Sequence, residues 1–304
     1  MVYEKYCWWV RPYSDPGEWP VTIRSAVLAT DLSDASETMI HSETGLGCLD
    51  RIGIERIHLV TVVPSNVHSG MPGIDFEKRR RRALRRYRST IEASGFAVET
   101  HVVRGTPHRR INGIAGSVGA DLILVGSRGK SPLENRVIGS TARNLARTTV
   151  VPLLVDRIER GVAEPEPIRR HLFERTLFAT DFSENADRAF EAFEYLRHAT
   201  REVTLIHVES PKDATADATP DARTRLDGLA DRLAEWGIDA YTDVRRGDPA
   251  TEILSAERDH EPSTLLLGSR GRSRLRRLLL GSVSEEIVAN AAGNVFLVPP
   301  PRTA

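Results

Sequence analysis

A glycine spacing that occurs twice at a constant separation constrains this chain more than any other feature. Gly126-Ser127-Arg128-Gly129, nine further residues and Gly139-Ser140 recur as Gly268-Ser269-Arg270-Gly271, nine further residues and Gly281-Ser282. At average usage, three fixed glycines and one serine match a given position with a probability on the order of 10⁻⁵. Two copies in register, 142 residues apart, therefore indicate an internal duplication.

Each glycine copy follows a short apolar run and precedes a stretch of helical character. A strand that runs into a glycine loop and then a helix N-terminus can hold a phosphate group. Glycine lets the backbone approach the ligand, and the unpaired N–H groups and the helix dipole favour an anion. The alternative interpretation is that these are loop glycines with no contact to a ligand.

Length and composition predict a soluble protein of two domains. The 304 residues suffice for two domains of about 150 residues, each with its own core. Charged residues make up 28% of the chain but its net charge is zero, which does not favour binding to nucleic acid or anionic membranes. We find no apolar run of ~20 residues that could span a bilayer and no signal-peptide pattern at the N-terminus. We therefore expect a cytoplasmic protein.

Alignment of the two halves predicts five β-strands in each, alternating with helices. The first strands end at Asp31 and Asp181, and the second strands carry Val62 and Val208 near their ends. Helices are expected at about 35–48, 76–93, 107–118 and 140–148 and at matching places in the second half. Such alternation indicates a parallel sheet covered on both faces, with a ligand crevice at the carboxyl ends of the strands.

The domain boundaries follow from the repeat. We expect an N-terminal extension at 1–23, a first domain at 24–156, a linker at 157–172 and a second domain at 173–300. The linker is polar and contains prolines, which is typical of a short spacer.

The strand-Thr-Asp-x-Ser pattern and the Gly-x2-Gly-x9-Gly-Ser pattern together resemble the ATP-binding branch of the universal stress protein family. The resemblance covers both halves, so the chain looks like a tandem universal stress protein. It implies an α/β fold of two tandem Rossmann-like (adenine nucleotide α-hydrolase-like) domains. Each domain would have a five-stranded parallel sheet of order 3-2-1-4-5 flanked by helices.

The resemblance also implies the role of each site residue. Asp31 and Asp181 would lie at the adenosine end, and Val62 and Val208 would flank adenine. The loop glycines would wrap the ribose and phosphates, and the helix start would donate hydrogen bonds to the phosphates. The loop glycines are Gly126, Gly129, Gly268 and Gly271, and the residues at the helix start are Gly139, Ser140, Gly281 and Ser282.

The two copies differ at one position of this motif. Family members commonly continue Gly-Ser with Val and then Ser or Thr, whose hydroxyl also reaches a phosphate. The second half does so with Ser284, whereas the first half has Ala142 at the matching position. Thr141 is an alternative source of the hydroxyl, but it is one residue out of register and is expected to point elsewhere on the helix. The second half therefore matches the nucleotide-binding pattern more completely than the first.

Other polar clusters are open to two interpretations. The basic run at 78–88 is either a patch for nucleic acid or an acidic partner, or a solvated helix face, which we favour. Arginines after Gly268 either neutralise a triphosphate or face solvent. His58 and His207 lie at non-matching strand positions and are expected to be structural, and the spacing of Cys and His residues indicates no metal site.

We therefore expect a non-catalytic ATP-binding regulator of the stress response with one nucleotide site in each half. Mg²⁺ or Mn²⁺ would arrive with the phosphates. The alternatives are a slow ATPase or nucleotidyl-transfer enzyme, or an interaction scaffold whose sites are empty. In the family, domains pair through their fifth strands. We expect the two halves to pair that way within one chain, and we leave open a homodimer of chains.

Overall fold

The computed structural model describes residues 22–33, 43–65, 76–127, 138–157, 171–210, 221–271 and 280–300. The first half contains β1 (Ser25–Ala29), α1 (Glu43–Arg51), β2 (Arg56–Val63), α2 (Phe76–Ala93), β3 (Ala97–Arg104), α3 (Pro107–Val118), β4 (Leu122–Gly126), α4 (Ser140–Thr148) and β5 (Leu153–Asp156). The second half contains β6 (Arg175–Ala179), α5 (Glu184–Phe190), α6 (Phe193–Leu196), β7 (Glu202–Glu209), α7 (Ala222–Glu235), β8 (Asp239–Arg246), α8 (Pro249–His260), β9 (Thr264–Gly268), α9 (Ser282–Asn290) and β10 (Asn294–Val298).

The expected α/β fold is confirmed, and most element boundaries lie close to those predicted. Three of the first-half helices coincide with the expected ranges, while part of the first expected helix lies outside the described residues. The fifth strand begins at Leu153, although the apolar run that contains it begins at Val150 in the sequence. Pro152 has no N–H to donate, and the Thr149 hydroxyl forms a local turn by accepting from the Val151 N–H at 3.1 Å.

The ten strands among the described residues form one sheet of order β3-β2-β1-β4-β5-β10-β9-β6-β7-β8. Within each half the neighbouring strands are parallel. The strand order reverses direction between β1 and β4, and again between β6 and β9. This reversal opens a crevice at the carboxyl ends of those strands.

The halves meet through β5 and β10, which pair antiparallel. The register joins Val155 to Val295, Leu154 to Phe296 and Leu153 to Leu297. At the constant repeat offset, the equivalent of Val155 is Leu297 and the equivalent of Val295 is Leu153. These equivalents also pair, so the junction has approximate twofold symmetry about Leu154 and Phe296.

Apolar side chains alternate between the two faces of the sheet and form a core on each. Ala26 and Leu28 of β1 belong to one core, and Val27 and Ala29 belong to the other. Both cores continue from the first half into the second. None of the helices among the described residues is both long and apolar enough to cross a membrane.

Candidate functional site

A cavity of about 320 Å³ lies at the carboxyl ends of β1, β2 and β4. It brings together five of the residues that the sequence assigned to the first site. These residues are Asp31, Val62, Gly126, Gly139 and Ser140. Gly129, the sixth, lies outside the described residues.

The turn that follows β1 holds Asp31 at this cavity through a strained backbone. Leu32 has a φ of 62°, in the left-handed region that side chains other than glycine rarely adopt. Hydrogen bonds hold it there: the Leu32 N–H donates to Thr30 Oγ1 at 3.0 Å and the Ser33 N–H donates to Asp31 Oδ1 at 3.1 Å. The second half repeats this strain at Phe182, whose φ is 57°. Strain of this kind, about 1–3 kcal/mol, clusters at binding sites.

The helix at the other end of the cavity begins without a side-chain cap. Helix α4 has Gly139 as its N-cap residue, and glycine has no side chain that could accept from the first N–H groups of the helix. By contrast, the N-cap Ser183 of α5 accepts from the Ala186 N–H at 3.3 Å. Ser140, Thr141 and Ala142, the first turn of α4, line the cavity. This turn therefore presents uncapped donors and the positive end of the helix dipole to a ligand.

Thr141 departs from its sequence-based expectation. It was expected to point elsewhere on the helix, but it lines the cavity together with Ser140 and Ala142. The physical reason is that the residues of the first helical turn surround the helix end.

The cavity also has an apolar wall. Val60 and Val62 on β2, Ile111 on α3 and Val125 on β4 line it. Val62 is 9% exposed and Val125 is 5% exposed. The cavity therefore has an apolar surface suited to a flat ring and, at the α4 end, donors suited to an anion.

Arg80 is a cavity residue that the sequence interpretation missed. It belongs to the basic run on α2, yet it is partly buried, lines the cavity and donates from Nη1 to Thr61 Oγ1 at 2.6 Å. Burial lowers the pKa of Arg80, and the nearby Asp31 carboxylate opposes that shift. A signal was present in the helical spacing, because Arg80 shares a face with the buried residues Leu84, Tyr87 and Ile91.

Asp156 lies at the end of β5, beside the glycine loop. The Ser127 N–H donates to its backbone carbonyl at 2.7 Å. Burial raises the pKa of its carboxyl group to about 6. The register of β9 and β10 places Val298 at the equivalent position of the second half.

In the second half the glycine loop is packed closely against protein atoms. A Cβ on Gly268 would lie 2.4 Å from Asn185 Nδ2, and a Cβ on Gly271 would lie 2.5 Å from Asp181 Oδ2. The structure therefore brings Asp181 and Gly271 together, as expected of one site. It also gives Gly268 a packing reason, because a Cβ there would lie 3.0 Å from the backbone carbonyl of Asn185, whereas the atom nearest a Cβ on Gly271 is the end of the Asp181 side chain.

The start of α9 follows the pattern of α4. Gly281 is its N-cap residue, again without a side-chain cap, and the Gly281 N–H donates to the Ser269 carbonyl at 2.7 Å. The Gly139 N–H donates to the Ser127 carbonyl at the same distance. Ser282 is the first residue of α9, as Ser140 is of α4.

Ser284 and Val208 are both buried in the second half. Ser284 is 4% exposed. Its hydroxyl donates to the Gly268 carbonyl at 2.9 Å, and this hydrogen bond connects α9 to the glycine loop. Its expected contact to a phosphate stays a prediction. Val208 is 7% exposed near the end of β7.

An aromatic stack lies at the carboxyl ends of β6 and β7. The rings of Phe182 and His207 have centroids 4.5 Å apart, and the guanidinium of Arg225 lies 3.8 Å from the centroid of Phe182. His207 Nδ1 is 2.8 Å from the Thr180 carbonyl, which supports the structural role expected for this histidine. In the first half, Leu32 and Thr61 stand at the positions of Phe182 and His207.

The fold defines a duplicated α/β protein with a reversal of strand order in each half, and the cavity of the first half lies at one of these reversals. A sequence model of the universal stress protein family matches residues 22–157 and 172–299. The chain therefore belongs to the universal stress protein family.

Individual relatives agree with this assignment. A universal stress protein of Methanocaldococcus jannaschii is 35% identical over 68 residues, which is 22% of this chain and 40% of that relative. One from Mycolicibacterium smegmatis is 26% identical over 221 residues, or 69% of this chain and 71% of the relative. The crystal structure of a universal stress protein from Archaeoglobus fulgidus superimposes with a TM-score of 0.69 at 26% identity, covering 90% of this chain and 97% of that one.

Proposed function

We propose that this protein binds ATP at the strand-end crevice of each half and acts as a non-catalytic regulator of the stress response. The observation that carries the proposal is the first-half cavity, where the expected residues surround an uncapped helix N-terminus. The motif resemblance to the ATP-binding branch supports the choice of ligand. Mg²⁺ or Mn²⁺ would enter with the phosphates rather than in a cage of protein carboxylates.

The chemistry of the cavity suits a ligand with a flat apolar part and an anionic end. Its volume of about 320 Å³ is at the lower end of the range of small-molecule sites, about 300–1,000 Å³. The valine wall suits a purine ring, and the first turn of α4 suits phosphate oxygens. Asp31, which also lines the cavity, offers an acceptor for a ribose hydroxyl or a base N–H group.

We also propose that the two halves stay paired through β5 and β10 in solution. The symmetric register supports this, because each paired residue has a repeat equivalent that is paired in the same way. The pairing covers strand edges that would otherwise be open to association with other chains.

The test places one charge at the expected phosphate position of each half. Gly139 and Gly281 have ordinary extended backbones, with φ of −64° and −80°, so an L residue fits there. Asp and Asn are both good N-cap residues, so Gly139→Asp and Gly139→Asn both keep the helix start. Only the aspartate repels a phosphate. We expect Gly139→Asp to weaken ATP binding to the first site about 100-fold, and Gly139→Asn about tenfold or less.

The same pair at Gly281 reports on the second half, and ATP affinity is measured by calorimetry on the whole chain. A Cβ at Gly281 meets its nearest protein atom at 3.6 Å, which is ordinary contact. Wild-type protein that takes up no ATP at millimolar concentration would overturn the proposal. So would a Gly139→Asp/Gly281→Asp protein that binds ATP as tightly as wild type.

A further inference from the structure

Three polar side chains on the outer strands of the first half converge on one point. His58 lies on β2, and Glu99 and His101 lie on β3. His58 Nδ1 is 3.3 Å from His101 Nε2 and 3.6 Å from Glu99 Oε2. The three potential ligand atoms all lie within 4.8 Å of one another. We refer to these three residues as the edge cluster.

The sheet itself builds the edge cluster. The parallel register places His58 beside Glu99 and Val60 beside His101. Because side chains alternate along a strand, Glu99 and His101 project from the same face, two residues apart. The spacing of the cluster is therefore fixed by strand pairing and does not depend on a loop.

The distances also match a tetrahedral metal site. The 3.3 Å between the two imidazole nitrogens is at the long end for a hydrogen bond. Two imidazole nitrogens bound to Zn²⁺ at about 2.0–2.1 Å in tetrahedral geometry lie roughly 3.3–3.4 Å apart. The 3.6 Å between His58 Nδ1 and Glu99 Oε2 is close to the corresponding nitrogen–oxygen separation.

The environment of His58 points the same way. The residue is 3% exposed, so its ring is held away from bulk water. Its polar neighbours Glu99 and His101 lie on the Nδ1 side. Nε2 is buried and has no hydrogen-bond partner among the described residues.

We propose that His58, Glu99 and His101 bind a divalent first-row transition-metal ion, with Zn²⁺ the best match. Two imidazoles and one carboxylate are a donor set that suits Zn²⁺, whereas Mg²⁺ and Ca²⁺ prefer oxygen ligands. The Glu99 side chain is 60% exposed, so the fourth position of the ion is open to water. The bound ion joins the edge strand β3 to β2.

The lack of a hydrogen-bond partner for His58 Nε2 among the described residues limits the affinity for the metal ion. When Nδ1 binds the ion, Nε2 carries the ring proton, and no partner among the described residues accepts it. Such outer partners are worth about 10- to 100-fold in metal affinity. We therefore expect a dissociation constant of about 1 µM, weaker than that of structural zinc sites.

The second half provides a natural control because it lacks the cluster. Thr204, Tyr241 and Asp243 stand at the positions of His58, Glu99 and His101. Asp243 is instead paired with Arg245 at 2.8 Å and with His260 at 3.3 Å. His260→Ala therefore removes a histidine near the matching strand without touching the edge cluster.

The experiment is calorimetric titration of the EDTA-treated, dialysed full chain with ZnCl₂. We expect one ion per chain in the wild type and in His260→Ala, with affinities within twofold of each other. His101→Ala should lose about 100-fold in affinity and Glu99→Gln about tenfold. Both changes are at partly or fully exposed positions of β3, and thermal melting of the metal-free variants checks that they fold.

Substitution with Co²⁺ gives a second measurement, because tetrahedral Co²⁺ absorbs visible light much more strongly than octahedral Co²⁺. The absorption should appear with wild type and disappear with His101→Ala. Absence of saturable Zn²⁺ binding in the wild type would overturn the proposal and leave His58 and His101 as a long hydrogen-bonded pair. Equal binding by wild type and His101→Ala would also overturn it, since the ion would then lie elsewhere.

Discussion

The two halves share a glycine motif, a strained turn after their first strands and a helix that starts at a glycine N-cap. The side chains at their crevices nevertheless differ. In the first half Arg80 reaches Thr61 beside Asp31, within a cavity. At the positions of Arg80 and Thr61, the second half has Ala222 and His207. The repeated motif therefore preserves the backbone frame, while side chains from the second strand and the following helix set the charge of each crevice.

The glycine loops teach a related lesson. In the second half, the side chains of Asn185 and Asp181 lie close to where a Cβ on Gly268 or Gly271 would be. In the first half, Gly126 and Gly139 line the cavity. Glycines at equivalent positions thus have different surroundings, a side chain in one half and a cavity in the other.

The largest effect that would sharpen this comparison is expected from Gly268→Ala. The new Cβ would lie 2.4 Å from Asn185 Nδ2, which donates to the Val298 carbonyl at 3.0 Å. We expect a loss of about 3 kcal/mol in the free energy of unfolding, measured by urea denaturation. Because the conflict is with Asn185, the same change in an Asn185→Ala background should lose at least about 1 kcal/mol less.

The matching first-half variant is Gly126→Ala, where Ala35 stands at the sequence position of Asn185. We expect it to be less destabilising than Gly268→Ala. Equal losses from the two variants would show that the amide of Asn185 is not the reason for the difference.

A smaller effect is expected from Asp156→Asn, at the position where the second half has Val298. The pKa of Asp156 is raised from 3.8 to about 6, so the folded state binds more protons than the unfolded state between these values. The free energy of unfolding therefore falls as pH rises from about 4 to 6, by up to about 3 kcal/mol. Partial exposure of the side chain reduces this, and we expect about 2 kcal/mol.

Asp156→Asn should raise the melting temperature at pH 7–8 and leave it nearly unchanged at about pH 3, where the carboxyl is mostly protonated in both states. The measurement is differential scanning calorimetry across this pH range. An equal gain at pH 3.5 and pH 7.5 would contradict an origin in charge burial.

The smallest effect is expected from Arg80→Met. Its guanidinium offsets the charge of Asp31 at the first cavity, so its loss should weaken ATP binding there about tenfold, or about 1.4 kcal/mol. The affinity is measured by calorimetry in a Gly281→Asp background, in which only the first site reports. Arg82→Met, at an exposed position of the same helix, is the control and should change the affinity less than twofold. A similar loss from both variants would indicate a general charge effect.

Much of the fold could be predicted from the sequence because the repeat and the apolar runs carry it. Helix starts directly after Gly139 and Gly281 follow from local patterns and are found in the structure. The first strands instead end at Ala29 and Ala179, two residues before the predicted ends at Asp31 and Asp181. The convergence of Asp31, Val62 and the glycine loop on one crevice followed from the rule for parallel sheets, which depends only on strand direction.

The contacts that depend on side-chain reach could not be predicted in this way. Arg80 was hidden in a run of basic residues, although its spacing from Leu84 and Tyr87 places it on the buried face of α2. The role of Ser284 depended on the distance from α9 to the Gly268 carbonyl, which no sequence pattern specifies. Predicting the edge cluster would have required the register of β2 against β3, because His58 is far in the chain from Glu99 and His101.

The antiparallel junction of β5 and β10 has a consequence for how this molecule can change over generations. In a pair of identical chains, every mutation is installed twice, so a change that helps one crevice alters the other as well. Here both halves are encoded in tandem in one chain, so a mutation changes only one of them. The first half has Arg80 where the second half has Ala222, and it has the edge cluster where the second half has Thr204, Tyr241 and Asp243. A pair of identical chains could not have acquired these differences.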